Sequence, residues 1–217
     1  GKQKEKAPQM PWELGPPVDL TAVGPNSATN QAAQIEAQQS PVYISVKMLI
    51  ADALQARAEK IRLEYTADAV GVRYMIDGVW IPANPKVHEK EPFNRALGDA
   101  MLLVLKRLAQ VNPQDRRSQQ KGKFQTGLVK DKYNTLFVSQ GTPTGEVAML
   151  TFLLITKTTR LFDELGMREK MLERLREYLR EPQAIVVFTA LPGDGLSASW
   201  LGMLKAIDRL MRDFVSI

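Results

Sequence analysis

The residues best placed to do chemistry in this sequence form one loop, Ala190-Leu191-Pro192-Gly193-Asp194-Gly195-Leu196-Ser197. It follows the apolar, β-rich run Ala184-Ile185-Val186-Val187-Phe188-Thr189 and leads into the amphipathic segment Ala198-Ser199-Trp200-Leu201. Strand, glycine loop and helix are the setting of a phosphate-binding loop, whose working pattern is G-x-x-x-x-G-K-[ST]. There the backbone N–H groups cradle phosphate, the Lys reaches the outer phosphates and the hydroxyl holds Mg²⁺. Gly193, Gly195 and the Ser197 hydroxyl fit that pattern, but Ala190 stands where the first Gly belongs and Leu196 where the Lys belongs. Asp194 adds a negative charge among the amides that would face phosphate. A cradle that has lost its cation and gained an anion binds triphosphate poorly, and on these residues alone a plain strand-to-helix turn is the better reading.

A second group is electrostatic. Lys106, Arg107, Arg116, Arg117, Lys121, Lys123, Lys130 and Lys132 crowd one stretch, against Asp115 and Asp131. Such a one-sided cluster is a footprint for phosphate, of nucleotide or of nucleic acid. Few aromatics are interleaved for base stacking, which weakens the single-strand reading. For Lys130 and Lys132, at a turn, a solvated surface is preferred. The lone His88 has no carboxylate or second His nearby and reads as surface loop. Without cysteine the chain has no disulfide and no Cys-based metal site, which fits a reducing compartment.

The elements that must position these residues begin after a polar lead. Residues 1–40 are rich in Pro, Gln, Ala and Asn, with Trp12, Leu14 and Leu20 in no sustained period, and are expected to be a disordered or loosely docked arm. Val46, Leu49, Ile50, Ala53 and Leu54 recur at helical spacing and predict a helix over 42–58. Strands are expected over 60–65 and 71–76, with Asp77-Gly78 turning into a partner strand at 79–82. Leu97, Met101, Leu102, Leu105 and Leu108 predict a helix over 93–111, stopped by Asn112-Pro113. Three strand-like runs follow at 123–129, 133–140 and 146–155. This order describes an α+β layer, one antiparallel sheet with helices packed on it.

Residues 157–183 read as a connector and a charged helix, with Met171, Leu172, Leu175, Tyr178 and Leu179 on its apolar face. Residues 184–217 then supply one parallel-type strand, the loop, and a helix carrying Trp200, Leu204, Ile207, Met211 and Phe214. A lone strand–helix unit cannot complete an α/β sheet, so the chain is expected to stop just after the start of a second domain. The hydrophobic fraction of 44% and charged fraction of 24% are those of a soluble globular protein. A net charge of +5 permits anionic partners without selecting one. No basic-then-apolar leader opens the chain and no apolar run approaches a membrane span, so it reads as unsecreted.

From about Val46 to Leu210 the sequence resembles the secretion-traffic ATPases, the cytoplasmic motors of type II secretion and type IV pilus assembly. Ala58-Glu59-Lys60-Ile61-Arg62-Leu63-Glu64 looks like that family's A-S-D-I-H-[IL]-E segment, and Arg73-Tyr74-Met75-Ile76-Asp77-Gly78-Val79 its R-[YF]-R-[IV]-D-G-[VI] hairpin. Leu105-Lys106-Arg107-Leu108-Ala109 resembles L-K-x-x-A. Asp115-Arg116-Arg117-Ser118-Gln119-Gln120-Lys121-Gly122-Lys123-Phe124 resembles E-R-R-x-P-Q-D-G-R-[FI] at the same internal spacing. Pro143-Thr144-Gly145-Glu146 resembles P-T-x-x-G-E with a shortened turn, and 161–167 the L-x-x-L-G-[LM] connector. The loop at 190–197 then falls where the family's Walker A lies.

The resemblance implies a PAS-like α+β domain over 41–156. After it would come the first strand–P-loop–helix of a RecA-like motor domain, truncated, with a degenerate Walker A. It implies ATP and Mg²⁺ as the family's cofactors, although no bound cofactor is expected here. Like subunits or an active paralogue are the implied partners, in a hexameric family, with an inner-membrane secretion or pilus platform beyond them. Nucleic acid is disfavoured, and the implied location is cytoplasmic, peripheral to the inner membrane. In that family arginines of the PAS-like domain reach nucleotide across a subunit interface. Arg73, Arg116, Arg117 and Lys123 keep basic character and are assigned to a residual phosphate-facing or subunit-facing edge. Phe137 and Thr151 stand where the family places Arg. The expected role is therefore structural or regulatory, with Gly193, Asp194, Gly195, Leu196 and Ser197 as a decayed nucleotide site and no catalytic or metal-binding residue. Two alternatives stay open: an active motor whose remaining catalytic boxes lie beyond Ile217, and a basic nucleic-acid-binding module.

Overall fold

The computed structural model describes residues 15–85, 93–155, 161–181, 183, 185–191 and 194–207. Trp12, Leu14, His88, Gly193, Met211 and Phe214 lie outside them. The chain divides into two compact units, residues 1–155 and 156–217.

The first unit runs β1 (Val18–Ala22), α1 (Ser27–Gln38), α2 (Tyr43–Gln55), β2 (Lys60–Tyr65), β3 (Val70–Ile76), β4 (Val79–Ala83), α3 (Arg95–Leu108), β5 (Gln120–Leu128), β6 (Asp131–Thr142) and β7 (Gly145–Leu154). The strands form one seven-stranded sheet in the order β1-β5-β6-β7-β2-β3-β4. Every pairing is antiparallel. The Asp77-Gly78 turn takes φ of 48° and 78°, as a two-residue hairpin between right-twisted strands requires.

Alternation decides which side is buried. Val18, Leu20, Phe124, Phe137, Leu150, Ile61, Leu63 and Tyr74 point to one face, where Val46, Leu49 and Ile50 of α2 and Met101, Leu105 and Leu108 of α3 join them in a single core. Each fully buried Leu, Ile or Phe there contributes about 1.5–3 kcal/mol relative to exposure. Asn94 caps α3 by accepting a hydrogen bond from the Leu97 N–H at 2.9 Å, and Asn26 caps α1 by accepting from Ala28.

The arm expected over residues 1–40 is corrected for its described part. Val18–Ala22 pairs with β5 from Val18↔Leu128 to Ala22↔Phe124, and Val18 and Leu20 are fully buried. The Gln34 side chain of α1 ties helix to strand, accepting from the Ala22 N–H (2.9 Å) and donating to the Leu20 carbonyl (2.8 Å). Pairing with a distant strand supplies the burial that this short polar segment cannot find locally.

The second unit has a one-turn 3₁₀ helix at Phe162–Leu165, then α4 (Glu169–Tyr178) and α5 (Leu196–Ala206). Phe162, Leu172 and Met203 form its core, with Val186, Phe188, Trp200 and Leu204 packed against them. The strand expected over 184–189 is also corrected: residues 185–190 are in no sheet. A parallel strand needs a neighbour for its backbone groups, and the described residues of this unit provide none. Val186 and Phe188 pack inward, whereas Ile185 and Val187 are 84% and 76% exposed.

Candidate functional site

The described residues of the 190–197 loop, 190–191 and 194–197, lead into a helix. The Asp194 N–H donates to the Leu191 carbonyl at 3.1 Å, and the Ser199 N–H to the Gly195 carbonyl at 2.9 Å, closing the first turn of α5. Gly195 sits at the N-cap with φ 82°, a left-handed conformation that favours glycine. Leu196 is therefore the first helical residue and Ser197 the second, both exposed. The backbone N–H groups of the first helical turn and the positive end of the helix dipole are in place. Leu196, 44% exposed, offers them no cation, and Asp194 stands just before the cap. Lys205 lies near the far end of α5, about 13 Å along the axis from Leu196 at 1.5 Å per residue.

In the first unit, three of the motifs quoted above converge. Lys106 and Glu146, each 1% exposed, form an ion pair at 2.6 Å. The Lys106 Nζ also donates to the Asp115 carbonyl at 2.7 Å. Glu146 accepts from Arg116 Nε at 3.3 Å, Arg116 Nη2 donates to Asp99 at 2.6 Å, and Asp99 accepts from Arg95 Nε at 2.9 Å. The Arg95 guanidinium lies 5.4 Å from the centroid of the Tyr65 ring, and Tyr65 donates its own proton to the Gly98 carbonyl at 2.9 Å. Burial, with Asp99 and Glu146 nearby, pushes the Tyr65 phenol far above its ordinary range. Burial works against ionisation of Asp99, but hydrogen bonds from Arg95 and Arg116 prevail and hold its carboxyl below the usual range. The Asp115 carboxylate accepts from the Ser118 hydroxyl and from the N–H groups of Arg117 and Ser118, which brings its pKa down to about 2.

Glycine completes this junction. A Cβ on Gly122 would lie 2.2 Å from the Ala109 carbonyl oxygen, so the ends of the L-K-x-x-A and Q-x-G segments touch backbone to backbone. Lys106, Asp115, Arg116, Gly122 and Glu146 thus hold α3, the 115–118 turn and the β6–β7 hairpin together. An interior ion pair is costly unless both charges are matched and hydrogen-bonded, and here both are.

The basic residues assigned from sequence do not form one cluster. Lys106 is interior, and Arg107 turns to Glu36 of α1 at 3.7 Å. Arg116 is bound by two carboxylates, while Arg117 is exposed beside it. Arg73 stands on the outer sheet face, across from Arg62 and 4.0 Å from Glu64. Lys123 shares that face on β5, four strands away, about 19 Å at 4.7–4.9 Å per strand. Phe137 and Thr151 also separate. Phe137 is fully buried under the helices, and Thr151, paired with Leu136, faces the other side. Sequence reasoning missed Asp99, Arg95 and Tyr65, which carry no motif. It also missed the interior place of Lys106, one residue after Leu105 in the helix's apolar stripe.

No group of three or more His, Cys, Asp or Glu able to hold a metal occurs among the described residues, and no helix there is long and apolar enough to cross a membrane.

Comparison with known proteins gives this geometry a family. Residues 35–217 match the family described as Type II/IV secretion system protein. The chain is 31% identical over 192 residues to a type II secretion system protein E of Xanthomonas campestris pv. campestris, covering 87% of this chain and 32% of that protein. It is 29% identical over 164 residues to a protein transport protein HofB homolog of Haemophilus influenzae, covering 73% and 33%. It is 27% identical over 192 residues to the type IV pilus assembly ATPase PilB of Pseudomonas aeruginosa, covering 84% and 32%. The chain therefore spans about a third of the length of these relatives. With the family matched across most of its length, this chain belongs to the type II/IV secretion system protein family.

Proposed function

We propose that this chain serves protein secretion as a structural or regulatory relative of the ATPases that drive type II secretion and type IV pilus assembly. In this reading the first unit is the family's PAS-like domain, and the second is the start of a RecA-like motor domain whose nucleotide site has decayed. The observation that carries it is Leu196 as the first residue of α5, behind the Gly195 cap and next to Asp194, where a working loop presents Lys⁺. The partners would be like subunits or an active paralogue, assembled in the cytoplasm against an inner-membrane platform.

A second reading, an active motor, is favoured by the left-handed Gly195 and the intact first turn of α5. The first-turn N–H groups of α5 would still face a phosphate, and a cation from another chain would restore the missing charge. Titration of Mg-ATP separates the two: the decayed site binds negligibly, whereas an active one binds in the micromolar range.

A further inference from the structure

We infer that the first unit carries an oxyanion site of its own, in the cavity between the 115–118 turn and the β6–β7 hairpin, selective for a phosphoryl group. The cavity, of about 590 Å³, is lined by Arg116, Arg117, Gly141 and the hairpin residues 142–145. The residues lining it include two arginines and two threonines and no acidic residue. Arg116 is fixed by Asp99 and Glu146, and Glu146 is itself held by the interior Lys106. The cavity wall is thus pre-set and does not have to be ordered by a ligand, which lowers the cost of binding.

Arg117 is the residue left for a ligand. Its backbone is fixed at both ends, the N–H donating to the Asp115 carboxylate at 2.9 Å and the carbonyl accepting from Gly141 N–H at 3.3 Å. Its exposed guanidinium pairs with no carboxylate among the described residues. Gly141 permits this approach, since a Cβ there would fall 2.6 Å from the Arg116 carbonyl oxygen. A planar guanidinium fork beside two hydroxyls matches the charge and oxygen geometry of phosphate.

The inference rests on the first unit alone and is independent of the loop at 190–197. The test is NMR titration of the chain with inorganic phosphate, then phosphoserine and AMP as two possible carriers of the group, each against chloride at equal ionic strength. Saturable shifts confined to residues 116–118 and 141–145, with a dissociation constant near 1 mM, are expected for all three ligands. Chloride should produce none. Arg117→Gln, an exposed substitution compatible with folding, should weaken binding about tenfold. Lys130→Gln should leave it unchanged. Absence of saturation into the tens of millimolar, or equal weakening by Arg117→Gln and Lys130→Gln, would overturn the site. Saturation by AMP alone would overturn the phosphoryl assignment.

Discussion

Lys106 and Glu146 meet at 2.6 Å inside the first unit, each only 1% exposed, joining the last turn of α3 to the start of β7. Removing one partner strands the other charge in the interior. Lys106→Met or Glu146→Leu alone should cost about 3–5 kcal/mol. Lys106→Met combined with Glu146→Leu should recover much of that loss, because an apolar pair avoids the desolvation penalty. Urea unfolding of the two single variants and the double variant measures this, and a double variant as unstable as the sum of the singles would refute it.

Acid should loosen the same junction. Asp99 and Asp115 titrate below the unfolded value of about 3.9, so the folded chain binds fewer protons than the unfolded one in that window. Their stabilisation is complete above about pH 4 and is lost as pH falls through the folded pKa, about 2 for Asp115. Melting temperature should drop between pH 4 and pH 2, with a shallower drop in Asp115→Asn. An identical slope in the variant would show that Asp115 does not contribute.

Leu20 of β1 is 2% exposed, and the β1 pairing is what distinguishes an ordered strand from a free arm. Leu20→Ala should destabilise the first unit by about 2–5 kcal/mol. A change below a few tenths of a kcal/mol, as for an exposed tail, would restore the expectation of a loosely docked arm.

Two backbone positions give opposite signs. Val129, between β5 and β6, holds φ 56° although it is β-branched and 83% exposed, so Val129→Gly should stabilise by about 1 kcal/mol. Gly122→Ala should destabilise by about 1–3 kcal/mol or more, because its Cβ would meet the Ala109 carbonyl oxygen. Thermal denaturation of both variants decides it, and a stabilising Gly122→Ala would contradict the close approach.

Much of this fold is legible in the sequence, for reasons that differ by element. The run 60–65 alternates cleanly because one sheet face is buried and the other is not, and the structure places β2 at Lys60–Tyr65. The Asp77-Gly78 turn has chemistry that few other turns share. β5 begins at Gln120, earlier than its apolar pattern suggests, because its outer face is polar. β1 was illegible: its five residues gain their meaning from β5, far along the chain. The loop at 190–197 announces its lost lysine in sequence, but the strand before it does not form without a neighbour. The basic stretch misleads most. Charge count cannot tell the interior Lys106 or the doubly paired Arg116 from the exposed Arg117, since only packing separates them.

The central claim, that the loop at 190–197 no longer holds nucleotide, is tested most directly by calorimetric titration of Mg-ATP. The titration is made into the chain carrying Arg117→Gln, which weakens the separate cavity, and into the same chain with Leu196→Lys and Asp194→Ser added. Loss of a charge-assisted hydrogen bond costs about 1.5–3 kcal/mol, and Asp194 adds repulsion, so binding at the unrepaired loop should be weaker by about two orders of magnitude. The account predicts no measurable micromolar binding by the unrepaired loop, and a gain of affinity on repair. Micromolar binding by the chain with Leu196 and Asp194 in place would contradict it.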